Sequence, residues 1–139
     1  MSFRSPEQAV IDQLENSAVV AQALGDRVYP VIAPASAALP FATWRRVAVQ
    51  REMTLGGPSG MPSVTLAIDI FAETYEAVRH AADHVREVLD GFRGGVGNSF
   101  HVSIVSLQNE SDGFIQLAGG ELPPVYSVTQ TYTILWGFE

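Results

Sequence analysis

The chain has 139 residues and a formal net charge of −7, which fits one acidic domain large enough to bury its own core. It contains no cysteine, and its eight basic residues are all arginine, so disulfides, a thiolate nucleophile, a Schiff base and a P-loop lysine are excluded. Only 17% of its residues are charged, against about 25% in a typical soluble domain, and this suggests surface that is buried against partners.

The N-terminal segment lacks the apolar core of a signal peptide. No stretch of the sequence approaches the ~18 apolar residues of a membrane-spanning helix. We therefore expect neither export nor membrane insertion. An acidic chain with so few cations is also poorly suited to non-specific nucleic-acid binding.

The first predicted element is a helix with start signals at residues 5–8, where serine, proline and glutamine suit an N-cap, a first helical position and a capping box. Its apolar residues recur at helical spacing and end at Gly25. Asn16 and Ser17 interrupt this pattern, which leaves open either one continuous helix or two short ones.

Two strands are predicted next. Residues 26–40 are expected to be irregular because prolines interrupt them. A strand then runs from Phe41 to about Met53, and residues 63–72 alternate between apolar and polar side chains. The glycine-rich residues 55–62 between them are expected to form a flexible connection, so that the two strands make a long hairpin.

A second helix is predicted from Thr74 to about Asp90. Its apolar residues lie on one face at the period of 3.6 residues. Charged residues on the remaining surface are spaced to pair, Arg79 with Asp83 and Arg86 with Asp90.

Two further strands are predicted over residues 100–107 and from 125 to about 138, with a long loop over residues 109–124. The order α-ββ-α-ββ predicts a single α+β domain over residues 1–139, with a mainly antiparallel four-stranded sheet and helices packed on one face. In the last strand, one face carries the apolar residues Tyr126, Val128, Tyr132, Ile134, Trp136 and Phe138, and the other face carries Ser127, Thr129, Thr131 and Thr133. We expect the threonine-rich face to look toward solvent or a neighbouring subunit.

His80 and His84 lie four residues apart on the second helix, a spacing that can hold a metal ion. A zincin carries a glutamate directly after its first histidine, and here Ala81 stands in that position. Glu76 or Glu87 are the candidates for a third ligand. Two alternatives follow: a small homo-oligomeric ligand- or metal-binding domain that uses the two histidines, or a helix face that is solvated or buried in an interface.

Residues 56–60 read Gly-Gly-Pro-Ser-Gly and place a serine among glycines, but they join two strands instead of opening a helix. A nucleophile elbow also requires glycine where Met61 stands, so we interpret the segment as a hairpin tip. Arg45, Arg46 and Arg51 form a small basic cluster on the first strand. We expect them to pair with carboxylates of another subunit, with nucleic-acid contact as the alternative.

Several segments, taken together and in order, resemble the tail-completion proteins of long-tailed phages, also called tail terminators or head–tail joining proteins. The segments that carry the resemblance are 25–30 (GDRVYP), 39–41 (LPF), 56–60 (GGPSG), 68–75 (IDIFAETY), 89–94 (LDGFRG) and 104–112. The resemblance covers nearly the whole chain. It implies a sheet flanked by helices and a structural role, with no catalytic, cofactor-binding or metal-binding residues.

This resemblance also implies where such a protein acts. It is expected in the tail of a phage virion or a phage-like particle such as a gene transfer agent, assembled in the cytoplasm of the bacterial host. The implied assembly is a homo-oligomeric ring, expected to be a hexamer, that caps the tail tube and joins it to the head connector or neck protein. Packaged DNA would pass through without specific binding, because an acidic lining without lysine repels phosphate.

The residues expected at the subunit or tail-tube interface lie in the hairpin and in the predicted long loop, which reach beyond the core. They are Arg45, Arg46, Arg51, Leu55, Gly56, Gly57, Pro58, Ser59, Gly60, Met61, Asn109, Asp112 and Phe114. Residues 56–60 are expected to become ordered on contact with the tube.

Overall fold

Helices and strands are defined over most of the chain, and the computed structural model describes residues 6–34, 37–50, 53–54, 57–58, 63–93, 100–115 and 125–138. The helices are α1 (Pro6–Glu15), α2 (Ala18–Leu24) and α3 (Tyr75–Leu89). The strands are β1 (Val28–Pro30), β2 (Phe41–Gln50), β3 (Met53–Thr54), β4 (Gly57–Pro58), β5 (Ser63–Ala72), β6 (Phe100–Ile115) and β7 (Val125–Phe138). None of the helices in these ranges is both long and apolar enough to cross a bilayer.

The main sheet has five strands in the order β1-β2-β5-β7-β6. The last four strands, β2, β5, β7 and β6, pair with one another in antiparallel fashion, which confirms the predicted α+β class, the largely antiparallel sheet and the β2–β5 hairpin. The expected count of four strands was too low, because β1 adds a fifth strand parallel to β2. Three residues are too few to show a periodic pattern, and Pro30 offers no ladder N–H.

All three helices pack against this sheet, and the core lies between the two layers. Along β5 the even-numbered residues 64–70 are buried, and along β7 the even-numbered residues 128–136 are buried. On α3 the buried residues recur at helical spacing from Val78 to Leu89, as its amphipathic pattern predicts. The odd-numbered residues of β5 and β7 form the other face, which we call the open face.

The first helical region is two helices, with the break at Asn16 and Ser17. Ser17 has an extended backbone, and its hydroxyl accepts a hydrogen bond from the N–H of Val20 at 3.5 Å. Gly25 ends α2 as predicted, with a φ of 62° that favours glycine. A Cβ at this position would lie 3.1 Å from the guanidinium of Arg27, so space also favours glycine there.

Both ends of α3 agree with the prediction, but its surface charges pair differently. Thr74 caps the helix by accepting the N–H of Ala77 at 3.1 Å. Beyond the helix, the carboxylate of Asp90 accepts the N–H of Leu107 at 3.0 Å instead of pairing with Arg86. An acceptor next to a strand edge satisfies a backbone donor, which an exposed ion pair does not do.

Strand β6 continues to Ile115, well beyond its predicted end at Leu107. Residues 109–115 pair with β7 down to Val125, so the predicted loop over 109–124 is wrong for this part, and residues 116–124 lie outside the described ranges. Asparagine, serine, aspartate and glycine weaken the strand signal in this stretch. Pairing with the long, apolar β7 overrides that local preference.

The connection between β2 and β5 contains a second, two-stranded sheet. Met53 pairs with Pro58, and Thr54 pairs with Gly57. The first strand predicted here therefore ends at Gln50, and its last part belongs to β3. The other predicted tip residues lie outside the described ranges; they are Arg51, Leu55, Gly56, Ser59, Gly60 and Met61.

Candidate functional site

Arg45 and Arg46 lie on opposite faces of the sheet, because consecutive residues of a strand alternate. Arg45 lies opposite Ala67 of β5, and Arg46 lies opposite Leu66, whose side chain is in the core. The Arg46 Nε atom is 3.5 Å from Oε1 of Glu7 in α1. The two arginines that the sequence placed in one basic cluster therefore serve different surfaces, and Arg46 already has a partner within its own chain.

The Glu7–Arg46 pair is buried at one end only. The Glu7 side chain is 6% exposed, whereas that of Arg46 is 56% exposed. A buried carboxylate is unfavourable without a cation or donor nearby, so Arg46 stabilises the start of α1 on the sheet. A guanidinium carries five N–H donors, and this contact leaves the solvent-facing donors available.

A buried hydrogen-bond network joins β7 to α3 and to β6. Gln130 is fully buried, and its Nε2 donates to the carbonyl oxygen of Ala82 at 2.9 Å and to Oε2 of Glu110 at 2.7 Å. Its Oε1 accepts the hydroxyl proton of Tyr132 at 2.7 Å. Sequence reasoning missed this residue, although a glutamine on an otherwise apolar strand face is the signal that marks it.

The network continues from Glu110 to the outer surface of β6. Arg79 of α3 places Nη1 at 3.9 Å from Glu110 and at 3.8 Å from Asp112. The hydroxyl of Tyr75 donates to Oδ2 of Asp112 at 2.7 Å, and this hydrogen bond is the main cause that raises the pKa of Tyr75. Arg79 thus reaches across to β6 instead of pairing with Asp83 on its own helix, and it fixes the edge strand against α3.

The three interface residues that were predicted in a long loop are strand residues of β6. Asn109 shares the open face with Thr131, whereas Asp112 and Phe114 share the helix-covered face with Val128. Asp112 belongs to the charged network, and Phe114 is 66% exposed. The strand therefore presents a carboxylate and an exposed aromatic ring close together at the margin of the sheet.

An apolar groove of about 540 Å³ opens at one end of the open face. Its apolar lining includes Val31, Ile32, Phe41, Phe71, Ile115 and Val125. Asp69 also lines the groove, and one of its carboxylate oxygens accepts the hydroxyl proton of Thr129. The sequence did not predict this groove, because its walls come from segments far apart in the chain.

Val31 forms a strained turn beside this groove. Its φ is 64°, and the N–H of Ile32 donates to the carbonyl of Pro30 at 2.7 Å, which closes a three-residue γ-turn around Val31. A β-branched residue rarely adopts a positive φ. The turn leaves Val31 68% exposed and Ile32 79% exposed. Strained backbone is often found at functional sites, and exposed apolar side chains are typical of contact surfaces.

His80 and His84 contact each other on α3. Their Nε2 atoms lie 3.1 Å apart, and their rings meet edge to face. A carboxylate oxygen of Glu87 lies 3.8 Å from Nδ1 of His84, the ring nitrogen that faces away from His80. Within the described ranges, no third histidine, aspartate or glutamate joins them in a group that could hold a metal ion.

Residues 8–117 match the family model described as Tail completion protein gp17. The chain belongs to this family. Its members are structural proteins, so this tail completion protein is a component of a virion or virion-like particle and not an enzyme. The family that the ordered segments predicted is confirmed.

The fold of this tail completion protein also occurs in a solved particle. A chain of the structure titled "Virion of native gene transfer agent (GTA) particle" matches it with a TM-score of 0.72 and 16% sequence identity. The match covers 96% of this chain and 95% of that chain, so the two share their whole fold. No curated protein matches the chain.

Two of the segments that resemble tail completion proteins meet around β1. The Nε of Arg27 donates to the carbonyl of Pro40 at 2.7 Å, and the carbonyl of Arg27 accepts the N–H of Ala42 at 2.9 Å. Gly25 leaves room for this arginine. The family pattern at 25–30 and 39–41 therefore encodes the docking of the first strand onto the sheet.

Proposed function

We propose that this tail completion protein caps the tail tube as a homo-oligomeric ring, a hexamer, and joins the tail to the head connector or neck protein. The family match over residues 8–117 carries the proposal. The uncovered surface of the subunit supports it, since no described helix packs on the open face and β6 is a long edge strand. Soluble proteins normally cover or shorten such edges, unless another chain pairs with them.

The tail-tube contact is assigned to the hairpin tip between β2 and β5. Strands β3 and β4 form a sheet separate from the main one. The glycine-rich residues 56–60 lie between two apolar residues, Leu55 and Met61. A glycine-rich segment that adapts to the end of the tube provides recognition of that end without chemistry.

DNA is proposed to pass through the ring without specific binding. The chain carries 15 acidic residues against eight arginines, so its field repels phosphate. Because Arg45 and Arg46 lie on opposite faces, only one of the two would line a lumen formed by one face of the sheet. A map of the assembled ring would contradict this part if Arg45, Arg46 and Arg51 were the dominant charges of the lumen.

Joining of purified heads and tails tests the proposed function. Particles produced without this protein are expected to accumulate heads and tails separately, and the purified wild-type protein should restore joined particles in electron micrographs. A variant with Leu55→Ser and Met61→Ser should lose most of that activity, because it removes the apolar residues that flank the tip. Val19→Ser, which removes an exposed apolar residue of α2, is the matched control. Full joining without any added protein would refute the proposal.

The contact between His80 and His84 is the observation behind the alternative, a ligand- or metal-binding domain, although within the described ranges no third ligand joins the pair. Metal analysis of the purified protein and the His80→Ala/His84→Ala variant decide between the two. A stoichiometric metal that the wild type binds and the variant loses, in a protein that does not restore head–tail joining, would support the alternative. Unchanged joining by the variant would leave tail completion independent of the two histidines.

A further inference from the structure

Among the described residues, the outer edge of β6 has backbone partners at Val105 and Leu107. The carbonyl of Val105 accepts the N–H of Gly91 at 2.7 Å, and the N–H of Val105 donates to the carbonyl of Phe92 at 2.9 Å. The N–H of Leu107 is satisfied by Asp90. Beyond Leu107, no residue in the described ranges pairs with this side of the strand, so β6 has a free edge.

Alternation along the strand shows which residues belong to this free edge. In an antiparallel ladder, successive residues turn their N–H and C=O groups alternately to one side and the other. Val105 and Leu107 turn theirs away from β7, and the bulge between Leu107 and Asn109 shifts the alternation by one residue. The residues whose backbone faces outward after the bulge are Glu110, Asp112 and Phe114.

The opposite margin of the sheet has a second free edge on β2. Strand β1 covers β2 only at its start, where Ala42 donates to Arg27 and Trp44 accepts from Val31. Because β2 has a bulge between Arg46 and Ala48, the same alternation turns the backbone of Arg46 and Val49 outward. Within the described part of the chain, no strand pairs with this side of residues 46–50.

The two free edges are complementary in charge and in apolar character. The β2 edge presents Arg46 with the exposed Val47 and Val49. The β6 edge presents the carboxylates of Glu110 and Asp112 with the exposed Phe114 and Ile115. The cationic and anionic side chains lie on the same, helix-covered face of the sheet, because Arg46 lies opposite Leu66 and Asp112 lies opposite Val128. A sheet continued from one copy to the next would bring them together without turning either subunit over.

We propose that residues 46–50 of β2 in one copy pair with residues 110–115 of β6 in the next copy, so that the sheet continues from subunit to subunit. This inference rests on the proposed ring. The two edges lie at opposite margins of one sheet, so the contact is heterologous and a fixed rotation closes it into a ring. The four long strands of the sheet alternate in direction, which makes β2 and β6 antiparallel to each other and sets an antiparallel contact.

Engineered disulfides test this contact without background, because the chain has no cysteine. Residues directly opposite in such a pair have Cα atoms about 5.5 Å apart, within the range that a disulfide spans. Val49→Cys is combined in turn with Glu110→Cys, Asp112→Cys or Phe114→Cys. We expect one of these double variants, oxidised in assembled particles or in concentrated solution, to give a ladder of cross-linked species that ends at the ring size.

The controls separate this contact from others. Each single-cysteine variant should remain monomeric on a denaturing gel, and a cross-linked Val49→Cys dimer would overturn the inference because it indicates two-fold pairing. Val49→Cys combined with Gln22→Cys, an exposed position on α2, should give no ladder. A mixture of the two single variants Val49→Cys and Phe114→Cys should stop at dimers, because each subunit then has one reactive edge.

Native mass spectrometry and micrographs of the same samples distinguish failure of the edge-to-edge contact from failure of the proposed ring. Rings that form without a ladder in any of the three double variants would overturn the edge-to-edge contact and leave the capping function standing. The absence of rings both in solution and in joined particles would overturn both. Val49 and Phe114 are exposed, so the unfolding midpoint of the Val49→Cys/Phe114→Cys variant should remain near that of the wild type. Glu110→Cys and Asp112→Cys remove partners of Gln130, Arg79 and Tyr75, so only those of their double variants that still unfold cooperatively are scored.

Discussion

Arg46 on β2 holds the buried carboxylate of Glu7 on α1 at 3.5 Å, and this pair joins the first helix to the margin of the sheet. The helix side of the pair is closed to water, whereas the arginine remains half in solvent. The same residue therefore has a structural role within the subunit and stands on the edge that we assign to the next copy.

Replacing Arg46 by glutamine should lower the free energy of unfolding by about 1–2 kcal/mol. Removing one partner of a fully buried pair costs about 3–5 kcal/mol, and the exposure of Arg46 reduces this figure. Arg45→Gln, its neighbour on the other face, should change stability by less than about 0.5 kcal/mol. Urea unfolding of the two variants provides the measurement, and equal losses would show that the Glu7 contact does not contribute.

Gln130→Leu should be strongly destabilising although it adds apolar volume to the core. The change leaves the hydroxyl of Tyr132 without its acceptor and Glu110 without its buried donor, and it should cost about 2–3 kcal/mol. Adding Tyr132→Phe should recover part of that loss, since it removes one stranded group. Thr131→Val, the next residue on the open face, is the control. A neutral effect of Gln130→Leu would mean that the network does not stabilise the fold.

Stability should fall at alkaline pH because of Tyr132. Burial is the main cause that raises its pKa, and the nearby charges of Asp90 and Glu110 raise it further. The folded state then holds this proton more tightly than the unfolded chain, whose tyrosines titrate near pH 10, so the stabilisation is complete below about pH 10 and decreases as pH rises above it. Urea midpoints at pH 9 and pH 11 should differ less for Tyr132→Phe than for the wild type. An unchanged difference would contradict this assignment.

Glycine at position 31 should be tolerated better than glycine at position 32. The positive φ of 64° destabilises Val31 by about 1–2 kcal/mol, whereas glycine adopts such a φ freely. Ile32 does not have a positive φ. Both side chains are mostly exposed, so each substitution to glycine removes a similar amount of solvent-facing apolar surface. We expect Val31→Gly to unfold at a higher urea concentration than Ile32→Gly. The opposite order would show that the turn is not strained.

Local patterns were sufficient for most of the elements. Strand β5 and helix α3 were predicted with nearly their observed bounds, because each has a strong periodic pattern and α3 has the Thr74 cap as a local start signal. The end of β6 was missed because its C-terminal residues have weak strand preferences and depend on β7 for pairing. The charge pairs of α3 were missed because Arg79 found carboxylates on another element, and helical spacing does not reveal those.

The sequence by itself determined the acidic, lysine-free and cysteine-free composition, the α+β class and the tail completion family, because each depends on residue types or on short-range order along the chain. Only the tertiary structure decided which residues share a surface. It separated Arg45 from Arg46 and brought Glu110 and Asp112 to Arg79 and Tyr75. It also placed residues 46–50 of β2 and 110–115 of β6 at the two margins of the sheet, where no strand of the described ranges pairs with their outer sides. The physical reason is that strand register, bulges and sheet order set these neighbours, and they arise from pairing between segments that are distant in sequence.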